Sequence, residues 1–322
     1  MEFKNLKDLL KKFADEQVCR THLEETRWPE GPVCPFCGYN KIYRIEAGKR
    51  LKCANKECFK KFSVTVGTVF ENSNIPLTTW FPAVYLISNH KKGISSSQLS
   101  RDLGITQKTA WFVLHRIRES LRTKKSLLLG EIQIDEVYVG GKEGNKHESK
   151  KGKFNTRGRS EETKTAVIGL LQKEGDVVTQ VMPWVSKKNV ENIIFSTVEK
   201  DSTIITDAYP VYSTVHRKYE HVIINHSEGT YVDPQGFHTN GIENFWSQLK
   251  RGIYGIYHQV SPKHLQRYCD EFGFRYNTRK LQDNQRFNLT LQRLDGRLKY
   301  TVLTTKKQGN GPGKEVEEIK EE

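Results

Sequence analysis

Four cysteines in two pairs constrain this chain more than any other feature. Cys34-Pro35-Phe36-Cys37 is followed, fifteen residues later, by Cys53 and then Cys58, so the pattern is C-x2-C, fifteen residues, C-x4-C. Free cysteines have no reason to adopt that spacing, whereas four thiolates so placed can close a tetrahedron around Zn²⁺. Gly38 after the first pair and the polar Ala54-Asn55-Lys56-Glu57 within the second suit tight knuckle turns. Lys41-Ile42-Tyr43-Arg44 between them reads as a strand. The expectation is a zinc ribbon with Cys34, Cys37, Cys53 and Cys58 as ligands. Four thiolates leave no coordination position for water, so this zinc is structural. Cys19 and Cys269 stand alone and read as ordinary thiols, and six cysteines in 322 residues exclude a disulfide-built scaffold.

Around the ribbon the pattern is helical. Phe3, Leu6, Leu9, Leu10 and Phe13 give a short amphipathic helix at the start. A second helical region runs from Trp80 to Leu121. Within it Ser95–Trp111 reads as a helix, a turn at Gly104 and another helix, with Leu99, Leu103, Ile105, Ala110, Val113 and Leu114 as shared core. Thr106, Gln107, Lys108 and Thr109 open the second helix, where a recognition helix presents side chains to the major groove. Lys108 and Arg116 are expected to project from it. Any two packed helices can show this spacing, so the charge distribution has to arbitrate.

The chain carries 52 Lys and Arg against 38 Asp and Glu, a net +14. Residues 76–129 carry +7 and 261–305 carry +5, whereas 130–260 carry −1. Charge serving only solubility would be spread more evenly. The pattern fits DNA-phosphate contacts outside a central domain that keeps its acids for another purpose. No apolar run approaches the roughly 18 residues of a membrane helix, and the N-terminus lacks a signal peptide's apolar block. With 36% hydrophobic residues the chain can bury a core. It is expected to be cytoplasmic and nucleoid-associated, with no membrane partner.

The central segment reads strand, strand, strand, helix, strand, strand, helix. Glu131–Val139 alternates and is β-rich; a polar insert from Gly140 to Glu162 reads as a mobile loop. Lys164–Leu171 and Val177–Val185 form a hairpin across Lys173-Glu174-Gly175-Asp176. Lys187–Lys200 is a helix, Ser202–Thr206 a strand ending at Asp207, and His221–Ile224 another strand. Asn240–Ile253 is an amphipathic helix. The tail after Thr305 is expected to be disordered. This order is ribonuclease-H-like, with the first and fourth strands as neighbours.

Three carboxylates occupy special places in that frame: Asp135 within the first strand, Asp207 at the end of the fourth, and Glu243 on the helix after the fifth. Such a set suits two hard divalent cations, Mg²⁺ or Mn²⁺, which activate an attacking oxygen and stabilise a leaving one. The alternatives are a turn cap for Asp207 and an exposed helix charge for Glu243. Asp135 is harder to dismiss, since an acid in an apolar strand is costly unless exposed or paired. Glu136 falls on the opposite face. Asn240, Glu243, Ser247, Lys250 and Arg251 share one helix face, which sets Lys250 beside a phosphate next to the metals or leaves it as surface charge.

These residues resemble the DDE transposases of bacterial insertion sequences, in the zinc-ribbon group related to Merlin elements. The resemblance runs from about Cys34 to Lys280. It rests on the CPFC ribbon, QIDEVYVGGK (133–142), TDAYPVY (206–212), HTNGIENFWSQLKRGIYG (238–255) and FRYNTRK (274–280). It implies binding to the terminal inverted repeats, Mg²⁺-dependent cleavage at the element ends and transfer of the 3′-OH into target DNA, by a homo-oligomer on paired ends. It also implies that Asp135, Asp207 and Glu243 are the triad and Lys250 the adjacent basic residue; Asn240, one turn earlier, is the alternative third ligand.

The expected class is therefore α/β, a ribonuclease-H-like catalytic domain preceded by a zinc ribbon and a helix-turn-helix. Its bounds are 1–70 for the N-terminal helix and ribbon, 71–129 for the helix-turn-helix, 130–282 for the catalytic domain, and 283–322 for a basic extension and tail. A non-catalytic zinc-ribbon regulator has no need of three acids at those points. A simple nuclease of ribonuclease-H type has no need of two DNA-binding modules.

Overall fold

The computed structural model describes residues 3–122, 127–141, 164–226, 229 and 231–305. The stretch from Lys142 to Thr163 and the tail from Lys306, which hold the segments read as mobile and disordered apart from Gly140 and Gly141, lie outside the described residues. The chain opens with α1 (Leu6–Lys12) and α2 (Glu16–Arg27), capped by the side chains of Asn5 and Asp15. Leu10, expected on the apolar stripe, is 48% exposed; the stripe that packs is Phe3, Leu9 and Phe13. The ribbon is a small antiparallel sheet, β1 (Ile42–Ile45), β2 (Arg50–Cys53) and β3 (Lys61–Phe62), over its own core of Cys34, Leu51, Cys53 and Phe62.

Three helices follow: α3 (Leu77–Asn89), α4 (Ser96–Leu103) and α5 (Gln107–Ser120). Ten residues of α3 are buried, which makes it the central helix of this region rather than an amphipathic cover. α4 ends at Gly104 in the left-handed conformation (φ 63°), as a helix stop requires, and Thr106 caps α5 through the Thr109 N–H.

The second sheet holds β4 (Glu131–Val139), β5 (Thr165–Gln172), β6 (Val177–Met182), β7 (Thr203–Asp207) and β8 (Glu220–Ile224), with α6 (Lys187–Thr197) after β6. Its order is β6-β5-β4-β7-β8: the first three strands are antiparallel, β4 and β7 are parallel, and β7 and β8 are parallel. Ile132 and Ile134 face the α6 side, and Val137 and Val139 the opposite side, where α7 (Asn240–Gly252) packs. α7 runs into a π-turn, Ile253–Tyr257, and then α8 (Pro262–Asn277), α9 (Asp283–Gln292) and α10 (Tyr300–Thr304).

Residues 283–295 return to the start of the chain. Phe287 and Leu291 of α9 sit in the core of α1, α2 and α3, with the Phe287 ring 5.3 Å from Phe3, and the Tyr85 hydroxyl donates to Asp283 at 2.9 Å. α8 is the seam: Leu265, Cys269 and Phe272 pack against α7, and Phe274 packs into the N-terminal helical core. Cys19 and Cys269 are both buried, and burial pushes the Cys19 thiol up to about 12.

Where α5 meets α8, His115 is fully buried with neither ring nitrogen hydrogen-bonded. Burial, then Arg118, His264 and Arg267, push it down to about 2. The folded protein keeps this imidazole neutral while an unfolded one takes a proton below about 6.5, so its contribution is full above that pH and lost as pH falls. That loss reaches about 2 kcal/mol at pH 5. Asp270, raised to about 6 chiefly by burial, acts in the opposite sense: its contribution is present below the unfolded carboxylate value of 3.8 and lost as pH rises through 6. Comparing wild type with His115→Leu cancels the Asp270 effect. In urea unfolding, the stability difference should shift against wild type by about 2 kcal/mol from pH 7 to pH 5.

Candidate active site and zinc ribbon

Asp135 lies opposite Gly169 of β5, and that pairing explains how α7 reaches the strand. A Cβ on Gly169 would stand 2.5 Å from the Trp246 ring, so only glycine lets the indole lie this close. Two residues before Asp135, on the same face, Gln133 accepts the Ile242 N–H at 3.0 Å through its Oε1. A Cβ on Gly241 would gain only a 2.6 Å gap to that oxygen in place of its present clearance. The first turn of α7, which carries Glu243, is thereby tied to the strand that carries Asp135.

Asp207 ends β7, beside the parallel strand of Asp135, and its Oδ1 accepts the Tyr209 N–H at 3.0 Å. Glu243 accepts from the Thr239 hydroxyl at 2.8 Å, and His226 Nε2 lies 3.4 Å from the same oxygen. Burial pushes the Asp135 carboxyl up to about 7, with the charges of Glu136, Asp207 and Glu243 adding to it and the Glu136 N–H opposing. The acids therefore share one electrostatic environment that a cation would relieve. Their oxygens are not all drawn together: among the described residues the four cysteines form the one set of three or more potential ligands within 4.8 Å. Glu136 faces away, as alternation requires, and receives the Tyr212 hydroxyl at 2.7 Å. Asn240 is exposed at the first position of α7, and Lys250 is exposed two turns beyond Glu243.

Gln133, Thr239 and His226 were not singled out from the sequence. Gln133 had a signal, a polar residue two before Asp135 in an apolar strand. His226 had none, because it comes from a separate segment.

In the ribbon, Cys34 Sγ is 3.8 Å from Cys58 Sγ, and Cys37 Sγ is 3.6 Å from Cys53 Sγ. Zinc–sulfur bonds of about 2.3 Å in a tetrahedron put sulfurs about 3.8 Å apart, so the four thiols fit Zn²⁺.

At the start of α5, Thr106, Gln107 and Lys108 are exposed and Thr109 is half-buried. Gln107 donates to the Ser96 hydroxyl at 2.8 Å, and Lys108 lies over the Tyr300 ring at 5.2 Å. Arg116 corrects the expectation that it projects outward. It is 3% exposed, stacked between Trp80 and Phe112, and donates to the Glu71 carbonyl at 2.6 Å. Beyond its first turn α5 is covered by α3 and α8, so a basic residue there must find partners inside.

Residues 127–277 match the ISXO2-like transposase domain, and residues 14–61 match the transposase zinc-ribbon domain. The chain belongs to the ISXO2-like transposases of the IS1595 family. The transposase is 27% identical over 278 residues to a Halobacterium salinarum protein described as an uncharacterized protein in transposable element ISH50. That alignment covers 83% of this chain and 92% of the relative. It is 30% identical over 107 residues to an uncharacterized transposase-like protein of Haemophilus influenzae, covering 33% of this chain and 85% of that protein. A chain of the simian T-cell lymphotropic virus intasome in complex with a PP2A regulatory subunit aligns over 74% of this chain and 79% of its own. Its identity is 12% and its TM-score 0.23, so no argument rests on it. No helix among the described residues is long and apolar enough to cross a membrane.

Proposed function

We propose that this transposase binds the terminal inverted repeats of an insertion sequence, cleaves DNA at the element ends and transfers the 3′-OH into target DNA. The observation that carries the reading is the placement of the three acids on joined elements: Asp135 on β4, Asp207 at the end of the parallel β7, and Glu243 in the first turn of α7, which Gln133 of β4 holds through the Ile242 N–H. Asp135, Asp207 and Glu243 would hold Mg²⁺ or Mn²⁺, with Asn240 as the alternative third ligand. Bound there, the ions supply charge stabilisation to the attacking and leaving oxygens of an in-line displacement. Of the chain's own groups, Gln133 and Thr239 orient the first turn of α7, and Lys250 is placed to meet a flanking phosphate. The ribbon and the α4–α5 pair serve as DNA-binding modules, with Thr106, Gln107, Lys108 and Thr109 toward the groove. Copies assemble on paired ends, and the protein acts at the nucleoid.

Purified protein incubated with labelled element ends and Mg²⁺ should give nicks mapping to the element termini and leaving a 3′-OH. Scattered nicks would favour a simple nuclease, and binding without nicks a regulator.

A further inference from the structure

Strand alternation gives the ribbon sheet two faces. Ile42, Leu51, Cys53 and Phe62 share one of them and form or flank the ribbon core. That face is closed by the end of α2: the Trp28 ring meets the Phe62 ring at 6.2 Å, and Arg44 donates to Glu24 at 3.1 Å. The other face carries Tyr43, Ile45, Arg50, Lys52 and Lys61.

Three observations on this outward face point to an anionic partner. Tyr43, Lys52 and Lys61 stand directly opposite one another across the three strands. Like charges so placed destabilise a sheet. Among the described residues no acid lies within ion-pair distance of either lysine. Next, the Lys52 ammonium sits over the Phe59 ring at 3.6 Å, and the two aromatic side chains here stay open, Phe59 at 52% exposed and Tyr43 at 51%. The ring fixes an ammonium that would otherwise sweep through solvent, so less freedom is lost when it meets a ligand. Finally, residues 34–62 carry eight basic residues against two acidic, a net +6.

The chemistry of the face selects the partner. Planar forks that read base edges are scarce: the one guanidinium, Arg50, lies 3.5 Å from Glu46. A lysine ammonium is instead a point charge suited to phosphate. Duplex DNA offers about one negative charge per 1.7 Å of its axis, a density that two opposed ammoniums match.

We propose that the outward face of the ribbon sheet seats the phosphate backbone of duplex DNA through Lys52 and Lys61, independently of base sequence, with Phe59 holding Lys52 in place. The proposal rests on the reading of the ribbon as a DNA-binding module and assigns its contacts: this face supplies affinity, and discrimination between sequences lies elsewhere.

The test uses the full chain. Lys52→Gln, Lys61→Gln and the double variant remove the ammoniums with little change of shape. Lys188→Gln removes an exposed cation from α6, beside the other sheet. Fluorescence anisotropy across salt measures binding to a labelled element end, an unrelated duplex and a single strand of equal length. Each ribbon variant should weaken both duplexes about threefold or more and lower the salt slope by about 0.9, the double variant about tenfold or more and by about 1.8. The ratio of end to unrelated duplex should stay at its wild-type value, as for phosphate contacts. Lys188→Gln should change neither affinity nor slope. Phe59→Leu should weaken binding in wild type and have no further effect in the Lys52→Gln background, since it acts through that lysine. Lys61→Gln relieves the repulsion across the strands, so its zinc content and Tm should be no lower than wild type.

Unchanged affinity and slope in the double variant would overturn the proposal, and so would an equal loss in Lys188→Gln. Loss confined to the element end would mean that the face reads bases, and loss confined to the single strand that it takes unpaired DNA; either overturns the backbone assignment. A Phe59→Leu loss that persists in the Lys52→Gln background would overturn its role as the holder of that lysine. If wild type shows no preference for the element end, the end-binding reading fails, and the unrelated duplex alone judges the face: weaker binding by the double variant supports it, and unchanged binding overturns it. Wild type that binds no duplex at all would overturn both.

Discussion

Asp135→Asn, Asp207→Asn and Glu243→Gln should each reduce end cleavage and strand transfer by about a thousandfold or more, with end binding retained. Each exchange removes one metal-binding charge and nearly preserves shape, and ions held by fewer carboxylates cannot support an in-line displacement. Folding should survive, because Asn at 135 replaces a carboxylate whose burial beside Asp207 and Glu243 is itself unfavourable. Asn240→Ala is the companion variant. If Asn240→Ala is inactive and Glu243→Gln active, the third ligand moves one turn toward the helix start. Mn²⁺ should replace Mg²⁺, whereas Ca²⁺ should not, since it takes more ligands at longer distances. Cleavage by all three acidic variants would end the metal-site reading.

The second large effect concerns zinc. The purified protein should contain about one Zn²⁺ per chain, and Cys34→Ser should abolish specific end binding while the five-stranded sheet remains folded. The ribbon's hydrophobic core is only Cys34, Leu51, Cys53 and Phe62, with a few half-buried neighbours. Structural zinc contributes about 10–16 kcal/mol to such a domain, far more than four side chains can replace. Its core is separate from those flanking the sheet, so its loss should stay local. Metal analysis and far-UV circular dichroism check this. Protein free of zinc that binds ends normally would contradict it.

The contrast between Asp135 and Arg116 shows what periodicity carries and what it does not. Strand alternation sets Gln133, Asp135 and Val137 on one face of β4 and Glu136 on the other, because the β period of two is a local property. The thiol spacing likewise needs little beyond the chain between the pairs. Arg116 sits on a helix whose surroundings are set by α3 and α8, the latter about 150 residues later in the chain, and no local pattern reports that cover. The same reason hid α9, whose Phe287 closes against Phe3 and Phe13 from the far end of the sequence. His226 reaches Glu243 from just beyond the end of β8, a segment separate from α7, so its place was not legible from spacing.

The central claim, attack by an element 3′-OH at a site built from Asp135, Asp207 and Glu243, is tested most directly by joining pre-cut ends to a plasmid. Wild-type protein with Mg²⁺ should join a 3′-hydroxyl end covalently to target DNA, and a 3′-deoxy end should give no product while binding equally well. Joining of the 3′-deoxy end, or joining by Asp135→Asn at the wild-type rate, would contradict the account.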